Sequence, residues 1–451
     1  MKRILGSARW LALISCLLSA GTRAQEPLTL SRAIQLALKQ NPDAEAARAT
    51  VEEASARAML VRTQYLPQLS LTEDISRGND PVYVFGTRLR QQQFAQTDFA
   101  PDALNRPEPI GNFATRISGG WLLFDSLHTQ KLVQGANLMR KSAASSAEAM
   151  DQKVVFDVVQ SYQGVLYAER LVEVARHELE TAEATLSSVD DHVKAGLAVE
   201  SDRMSARVNV AARKQALIAA HGDLELAWMQ LRVAMGTPDL MASTLRPIEQ
   251  KDFQKNDLEQ TLQTAMMNRR DLAALTQAQS AQAAAESAAR LSFGPRVSAY
   301  GNWEDDRQTP GGLGGSNWVA GAQIVLDILP FSKHAALAKE KSSKARVDAQ
   351  LTSYQQQVRL QVNQAYIQRQ TAELSLETAQ SAIDQATESL RILKNRYGAG
   401  LATITDLLRA DDAAREAEAN YWHAVYSNAT TYAQQLYTTG TLTAETAEEL
   451  Q

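Results

Sequence analysis

Cysteine is almost absent: the 451-residue chain has one, Cys16, inside an N-terminal stretch with the marks of a secretory leader. Lys2, Arg3 and Arg9 make a basic start, Leu11 to Ala20 an apolar stretch, and Thr22-Arg23-Ala24 a small-residue exit. Residues 1–24 are therefore expected to be removed, leaving a mature chain that starts near Gln25. The alternative is a lipoprotein signal at Cys16, which would leave an unusually short apolar region. With Cys16 removed, disulfides and thiolate metal sites are excluded.

Long apolar runs are missing as well. Nothing after the leader approaches the roughly 18 continuous apolar residues of a membrane-spanning helix. An exported chain of this kind is periplasmic, secreted, or held in an outer membrane as a β-barrel. The six histidines, His128, His177, His192, His221, His334 and His423, are scattered with no HExxH or other ligand spacing. No glycine-rich phosphate loop is present and no Met or His cluster suggests a metal relay, so no catalytic, metal or cofactor site is expected. Positive charge is short: losing Lys2, Arg3, Arg9 and Arg23 takes the net charge from -5 to about -9, which argues against nucleic acid as a partner.

What the chain does have is a long internal repeat. Leu30, Tyr65, Pro67 and Leu69 return 228 positions later as Leu258, Phe293, Pro295 and Val297. Tyr162, Val193, Gly196, Asp202 and Gly236 return 204 positions later as Tyr366, Tyr397, Gly400, Asp406 and Gly440. The offset falls by 24, so the first unit carries extra residues in its middle. The expected organisation is a leader (1–24), two structural repeats (25–256 and 257–440) and a short tail (441–451). A unit this long is a two-fold duplication, not a solenoid.

Each repeat contains a heptad seam. Val154, Val158, Ser161, Val165, Ala168, Val172, Ala175, Leu179, Ala182, Leu186, Val189 and Val193 alternate spacings of four and three. Val358, Val362, Ala365, Arg369, Ala372, Leu376, Ala379, Ile383, Ala386, Leu390, Leu393 and Tyr397 repeat the register. No proline interrupts Asp125 to Val193, so a helix of some 60 residues, roughly 90 Å, is expected. Each seam ends on glycine, at Lys194-Ala195-Gly196-Leu197 and Gly398-Ala399-Gly400-Leu401, and a new helix opens at Ser201-Asp202 and at Thr403 to Asp406. The long helices thus fold back as hairpins with tight tips. Shorter helices are expected at about 30–64 and 257–290, with return helices at 200–235 and 402–437. Asn41-Pro42 marks a cap or break in the first.

Four alternating segments lie between the helices, and the second, third and fourth show the alternation in turn. Phe113, Thr115, Ile117, Gly119, Trp121 and Leu123 oppose Ala114, Arg116, Ser118 and Gly120. Val297, Ala299, Gly301 and Trp303 oppose Arg296, Ser298, Tyr300 and Asn302. Trp318, Ala320, Ala322, Ile324 and Leu326 oppose Asn317, Gly321 and Gln323. One apolar and one polar face over about ten residues is the pattern of transmembrane barrel strands; a half-buried soluble sheet has the same pattern. The connecting loops are unequal, Gly78 to Asn112 against about Asp305 to Ser316, and are read as facing the cell exterior. Four strands cannot close a barrel around a lumen, and open edges do not survive in lipid, so copies must share one: three giving twelve strands or two giving eight.

These residues resemble the outer-membrane efflux protein family of TolC-type channels, over about residues 28–440. The resemblance rests on the duplication and on the run Ala33 to Pro42 (AIQLALKQNP). Tyr65-Leu66-Pro67, Leu123-Phe124-Asp125, and Asn395 to Gly400 followed by Thr403 and Asp406-Leu407-Leu408 extend it. It implies a mixed α and β membrane protein, mainly long helical hairpins forming a periplasmic α-barrel. Four strands per protomer would join a shared twelve-stranded transmembrane β-barrel in a homotrimer. Its partners would be outer-membrane lipid, a periplasmic adaptor and an inner-membrane pump or ABC exporter. Efflux of small molecules comes first and type I protein secretion second; a soluble periplasmic coiled-coil protein is the remaining alternative.

By the same resemblance the tips are the gate and adaptor surface. Ala195, Gly196, Leu197, Ala399, Gly400 and Leu401 would meet the adaptor, although the glycines also read as ordinary helix caps. Ser201, Asp202, Tyr397 and Asp406 would form the gate, with a Tyr397–Asp202 hydrogen bond as its latch and Asp406 as a ring of three carboxylates. Simple helix capping is the other reading of Asp202 and Asp406. Ala402 stands where the family commonly has an arginine, and Arg409 where a second carboxylate can follow, which puts cation selectivity in doubt. Trp121, Trp303 and Trp318 are candidate membrane-interface anchors or sheet core. Arg116 and Arg296 are candidate lumen residues.

Overall fold

The computed structural model describes residues 27–239, 244–246 and 257–448. The leader, Cys16, and the last residues of the tail lie outside them. In chain order the elements are α1 (Leu30–Gln40), α2 (Pro42–Arg62), β1 (Gln68–Gly78), α3 (Pro81–Arg90), α4 (Pro101–Asn105) and β2 (Ile110–Phe124). The first hairpin follows as α5 (His128–Lys194) and α6 (Glu200–Met235), then α7 (Leu258–Asn268), α8 (Arg270–Leu291), β3 (Arg296–Arg307) and β4 (Gly314–Val325). The second hairpin is α9 (Phe331–Gly398) and α10 (Ile404–Thr438), with α11 (Ala444–Glu448) last. Two compact units cut across the sequence repeats: a helical unit (1–49, 146–272, 354–451) and a sheet unit (50–145, 273–353).

The long helices are longer than the seam alone marks: α5 has 67 residues and α9 has 68, about 100 Å each at 1.5 Å per residue. Every seam position is buried or half-buried. Alanines let the neighbouring helices approach, and the core is correspondingly thin. Arg369, the charged seam residue, is buried because it donates to the Asn428 backbone oxygen at 3.0 Å and to Glu373 at 2.7 Å, with its guanidinium 5.6 Å from the Tyr432 ring. At the heart of the helical unit Leu30, Ile34, Val158, Tyr162, Leu231 and Met235 are fully buried. The Tyr162 hydroxyl lies 2.7 Å from the Leu28 oxygen and 2.9 Å from the Arg246 oxygen. Burial pushes that phenol up to about 12.

The structure breaks both short helices. Asn41 ends α1, as Asn41-Pro42 suggested, but the 257–290 helix is also split, at Arg269. No proline marks that break; Arg269 is held instead by Asp271 at 3.0 and 2.5 Å and by Gln361 at 2.5 Å. In the sheet unit the strands form an antiparallel sheet in the order β1-β2-β3-β4. The pairing register puts Leu69, Leu71, Ile117, Trp121, Trp303, Trp318 and Ile324 on one face, largely exposed. Ser70, Thr72, Arg116, Ser118, Asn302, Glu304 and Gln323 lie on the other. Leu326 falls just past the end of β4, and the β3–β4 turn is only 308–313, shorter than expected.

The 78–112 segment is not a plain loop. Asp80 caps α3 through the Tyr83 amide at 2.9 Å, and Pro81 supplies a preset first helical residue. The Phe94 ring sits between Phe85 and Phe99, with centroids 4.9 and 5.0 Å away, and Arg88 pairs with Asp98.

Candidate functional site

The two hairpin tips are built alike. At the first, the Leu197 N–H donates to the His192 oxygen (2.8 Å) and that of Gly196 to Val193 (3.1 Å). At the second, Leu401 donates to Arg396 (2.8 Å) and Gly400 to Tyr397 (2.9 Å). This paired bonding satisfies the last helical carbonyls and requires a left-handed residue; Gly196 and Gly400 have φ of +74° and +72°. Leu197 and Leu401 then stand out in solvent, 78% and 68% exposed. Ala195 and Ala399 are exposed beside them.

Just behind the tips the two hairpins of one protomer pack together. Val189, Ala206, Ile404 and Leu407 are buried there, with Leu186, Val193, Leu390, Tyr397 and Leu408 around them. Val193 and Tyr397, equivalent by the duplication, thus share one cluster, and the His192 and Tyr397 rings lie 5.5 Å apart. The Tyr397–Asp202 hydrogen bond is not formed: the Tyr397 hydroxyl is buried with no hydrogen-bond partner among the described residues. Burial, and then the Asp202 charge, raise its pKa. Asp202 instead accepts the Val199 N–H at 3.4 Å at the start of α6, and Ser201 is exposed beside it.

Asp406 has a full capping role. Its Oδ2 accepts the Thr403 N–H at 3.2 Å and the Thr403 hydroxyl at 2.7 Å, while the Asp406 N–H donates to Thr403 Oγ1 at 3.1 Å. The Thr403 bonds, helped by Arg409 and Arg396, hold its carboxyl below the usual range. Arg409 is exposed one turn on.

Another charged cluster lies further up the hairpins, and the heptad reading did not single it out. Arg213 of α6 is buried and lies 2.6 Å from Asp412, 3.4 Å from Asp411 and 4.0 Å from Glu178, which joins α5, α6 and α10. Burial pushes Glu178 up to about 7, against the pull of Arg213 and Arg415 and with Asp411 and Glu418 adding to the rise. Burial raises Asp411 too. A buried arginine is visible in sequence only as an unremarkable polar-face residue, since its nearest partners, Asp411 and Asp412, are nearly 200 positions away. Among the described residues no group of His, Cys, Asp and Glu is arranged to hold a metal.

On the sheet, Trp303 and Trp318 face each other across β3 and β4 on the apolar side. The next row toward the β3–β4 turn is polar: Glu73, Thr115, Asp305 and Ser316. Trp121 sits lower on the same face and donates its indole N–H to the Tyr65 oxygen at 2.8 Å. On the polar face Arg116 pairs with Glu304 at 2.8 Å, Ser118 donates to Asn302 at 2.9 Å, and Arg296 lies 4.0 Å from Asp327. No described helix is long and apolar enough to cross a membrane.

Long paired hairpins together with a four-stranded, two-faced antiparallel sheet define a TolC-type outer-membrane channel fold, the fold of channels rather than enzymes. The outer membrane efflux protein family matches residues 33–237 and 261–439, and the chain belongs to that family. In sequence it is similar to Protein CyaE of Bordetella pertussis, 24% identical over 394 residues, 85% of this chain and 78% of that one. In structure it is similar to CusC, described for conformational changes accompanying folding and transmembrane channel formation, with a TM-score of 0.79 at 17% identity over 91% of this chain and 92% of that one. It is also similar to the CmeC outer membrane channel of Campylobacter jejuni, with a TM-score of 0.79 at 17% identity over 93% and 88%. The protein resides in the outer membrane, with its helical part in the periplasm.

Proposed function

We propose that the protein is a homotrimeric duct that passively conducts small molecules from an inner-membrane pump and periplasmic adaptor to the exterior. The observation that carries this reading is the open sheet. Strands β1 and β4 each leave one edge unpaired, and each unsatisfied backbone group in hydrocarbon costs several kcal/mol. Pairing β1 of one copy with β4 of the next removes the edges, and three copies supply the twelve strands of a barrel with a lumen. The apolar face then meets lipid, with Trp303, Trp318 and Trp121 at its interfaces, and the face bearing Arg116 lines the lumen.

The tips are assigned the adaptor surface and the gate. Leu197 and Leu401, flanked by Ala195, Gly196, Ala399 and Gly400, offer the adaptor exposed apolar contacts on rigid caps. Asp202, Ser201, Tyr397, Asp406 and Arg409 surround the cluster that holds the two hairpins side by side. The repeats 25–256 and 257–440 share the wall equally and divide the gate unequally, since only the second carries the tyrosine. An adaptor that binds the separated tips better than the packed ones would open the gate by its differential affinity alone.

The reading is tested by fractionation and conductance. Heat-resistant trimers in the outer-membrane fraction are expected; recovery in the soluble periplasm would end the channel reading. Val189→Asp combined with Leu407→Asp, which puts charge into the cluster that holds the two hairpins together, is expected to raise conductance in planar bilayers, and unchanged conductance would remove that cluster from the gate. Co-purification with an ABC exporter and a large secreted protein, in place of a multi-spanning pump, would reassign the duct to protein secretion.

A further inference from the structure

The insertion between β1 and β2 lies on the polar face of the sheet, and we propose that three copies of it meet on the channel axis as an apolar plug at the outer mouth. This rests on the trimer reading above. Side-chain bonds fix the insertion to that face. Ser76 and Tyr83 join their hydroxyls at 2.9 Å. Gln91 Nε2 donates to Asn112 Oδ1 at 2.9 Å, and Asn112 Nδ2 to Asp306 Oδ1 at 2.6 Å. Asn317 Nδ2 donates to the Arg90 oxygen at 3.1 Å. Ser76, Asn112, Asp306 and Asn317 all share the polar face by register. A Cβ on Gly315 would lie 2.7 Å from the Arg90 oxygen, so the C-terminal end of α3 rests directly on β4.

α3 is two-faced. Val84, Thr87 and Gln91 are buried. On the opposite side Val82, Phe85 and Leu89, spaced three and four apart, form an apolar stripe 81%, 37% and 49% exposed. Phe99, itself exposed, extends the stripe through Phe94. Lipid wets only the other face of the sheet, so whatever covers this stripe comes from inside the barrel.

The dimensions say what that is. Twelve strands about 4.8 Å apart and tilted by about 40° close a barrel roughly 12 Å in backbone radius. A helix with its side chains is about 10 Å thick. Laid on the wall, α3 therefore brings its far face to the axis, where it meets the same stripe of the other two copies. An eight-stranded barrel is filled by its own side chains and has no space for two such helices, so the insertion itself favours three copies.

The full-length protein in outer membranes tests the plug. Its only native cysteine is Cys16, so Phe85→Cys introduces a single thiol into the mature chain. Mild oxidation is expected to join two of the three protomers as a disulfide dimer. Thr72→Cys, on the wall, is expected to give none, because a disulfide needs Cα atoms within about 7 Å. Adding Val82→Asp, Phe85→Asp and Leu89→Asp to Thr72→Cys is expected to speed labelling of intact cells by a bulky, impermeant maleimide several-fold, through mutual repulsion at the axis. Intact trimers with no Phe85→Cys dimer and unchanged labelling would overturn the plug and leave the trimer standing. Loss of trimers in the unsubstituted protein would remove both.

Discussion

Four helices of this chain end on the same cap, yet the glycines at the tips and those at the joints do different work. Gly196, Gly236, Gly400 and Gly440 have φ of +74°, +69°, +72° and +71°. A Cβ on either tip glycine would meet nothing within 4 Å. A Cβ on Gly236 would lie 2.6 Å from the Gln40 oxygen, and one on Gly440 2.9 Å from the Arg269 nitrogen. The tip glycine is required only by its own backbone, whereas the joint glycine is also required by the break in a short helix pressed against it. The tips are thus free to present a surface, and the joints are locked into the body.

The two joints differ from each other as well. Asn41 is neutral: its Nδ2 donates to the Ala234 oxygen at 2.9 Å, and its Oδ1 accepts the Asp43 N–H at 2.8 Å. Its equivalent 228 positions on, Arg269, is ionic, and the Tyr354 hydroxyl donates to the same Asp271 carboxylate at 2.7 Å. Burial would raise Asp271, but the bonds from Arg269 and Tyr354 outweigh it and hold the carboxyl below its ordinary value. Duplication preserved the backbone break and let each copy satisfy it with different chemistry.

The sharpest break of this comparison is Arg269→Ala. It leaves Asp271 half-buried without its cation and is expected to cost about 3 kcal/mol, against about 1 kcal/mol for Asn41→Ala, which loses a cap and one hydrogen bond. Midpoints of denaturant unfolding compare them; equal losses would mean that the ion pair adds nothing over the neutral joint. Alanine at the four glycines comes next. Gly196→Ala and Gly400→Ala are expected to lose about 1 kcal/mol each from the left-handed backbone alone. Gly236→Ala and Gly440→Ala should lose clearly more, because backbone atoms must move, and four equal values would refute the distinction. The last effect is in pH. Glu178 sits at about 7 in the folded chain against an ordinary 4.5, so the folded state holds its proton more tightly. The stability it contributes is complete below about pH 4.5 and is lost as pH rises through about 7. Glu178→Gln should flatten unfolding midpoints over that window, and an unaltered slope would assign the dependence elsewhere.

Much of this is legible in the sequence. The heptad seams, the strand faces and the tip glycines were all read from spacing, because each is a local periodicity or a local backbone need. Asn79-Asp80-Pro81 carried a readable helix start in the insertion, and the polar composition around it obscured the signal. The break at Arg269 had no local signal, since it depends on Asp271, Tyr354 and Gln361 coming together. The Arg213 cluster joins positions nearly 200 residues apart, and the unpartnered Tyr397 hydroxyl depends on how the two tips pack.

By itself the sequence determined the duplicated plan: the long helices and the strands, which stripe of each is apolar, and where each hairpin turns. Those choices follow from side-chain spacing and backbone freedom within a few residues. Only the tertiary structure decided which face of the sheet the insertion covers, how each joint is satisfied, and that Tyr397 sits in an apolar cluster without its bond to Asp202. Burial and pairing between distant positions depend on where the whole chain goes, and no window of sequence contains that.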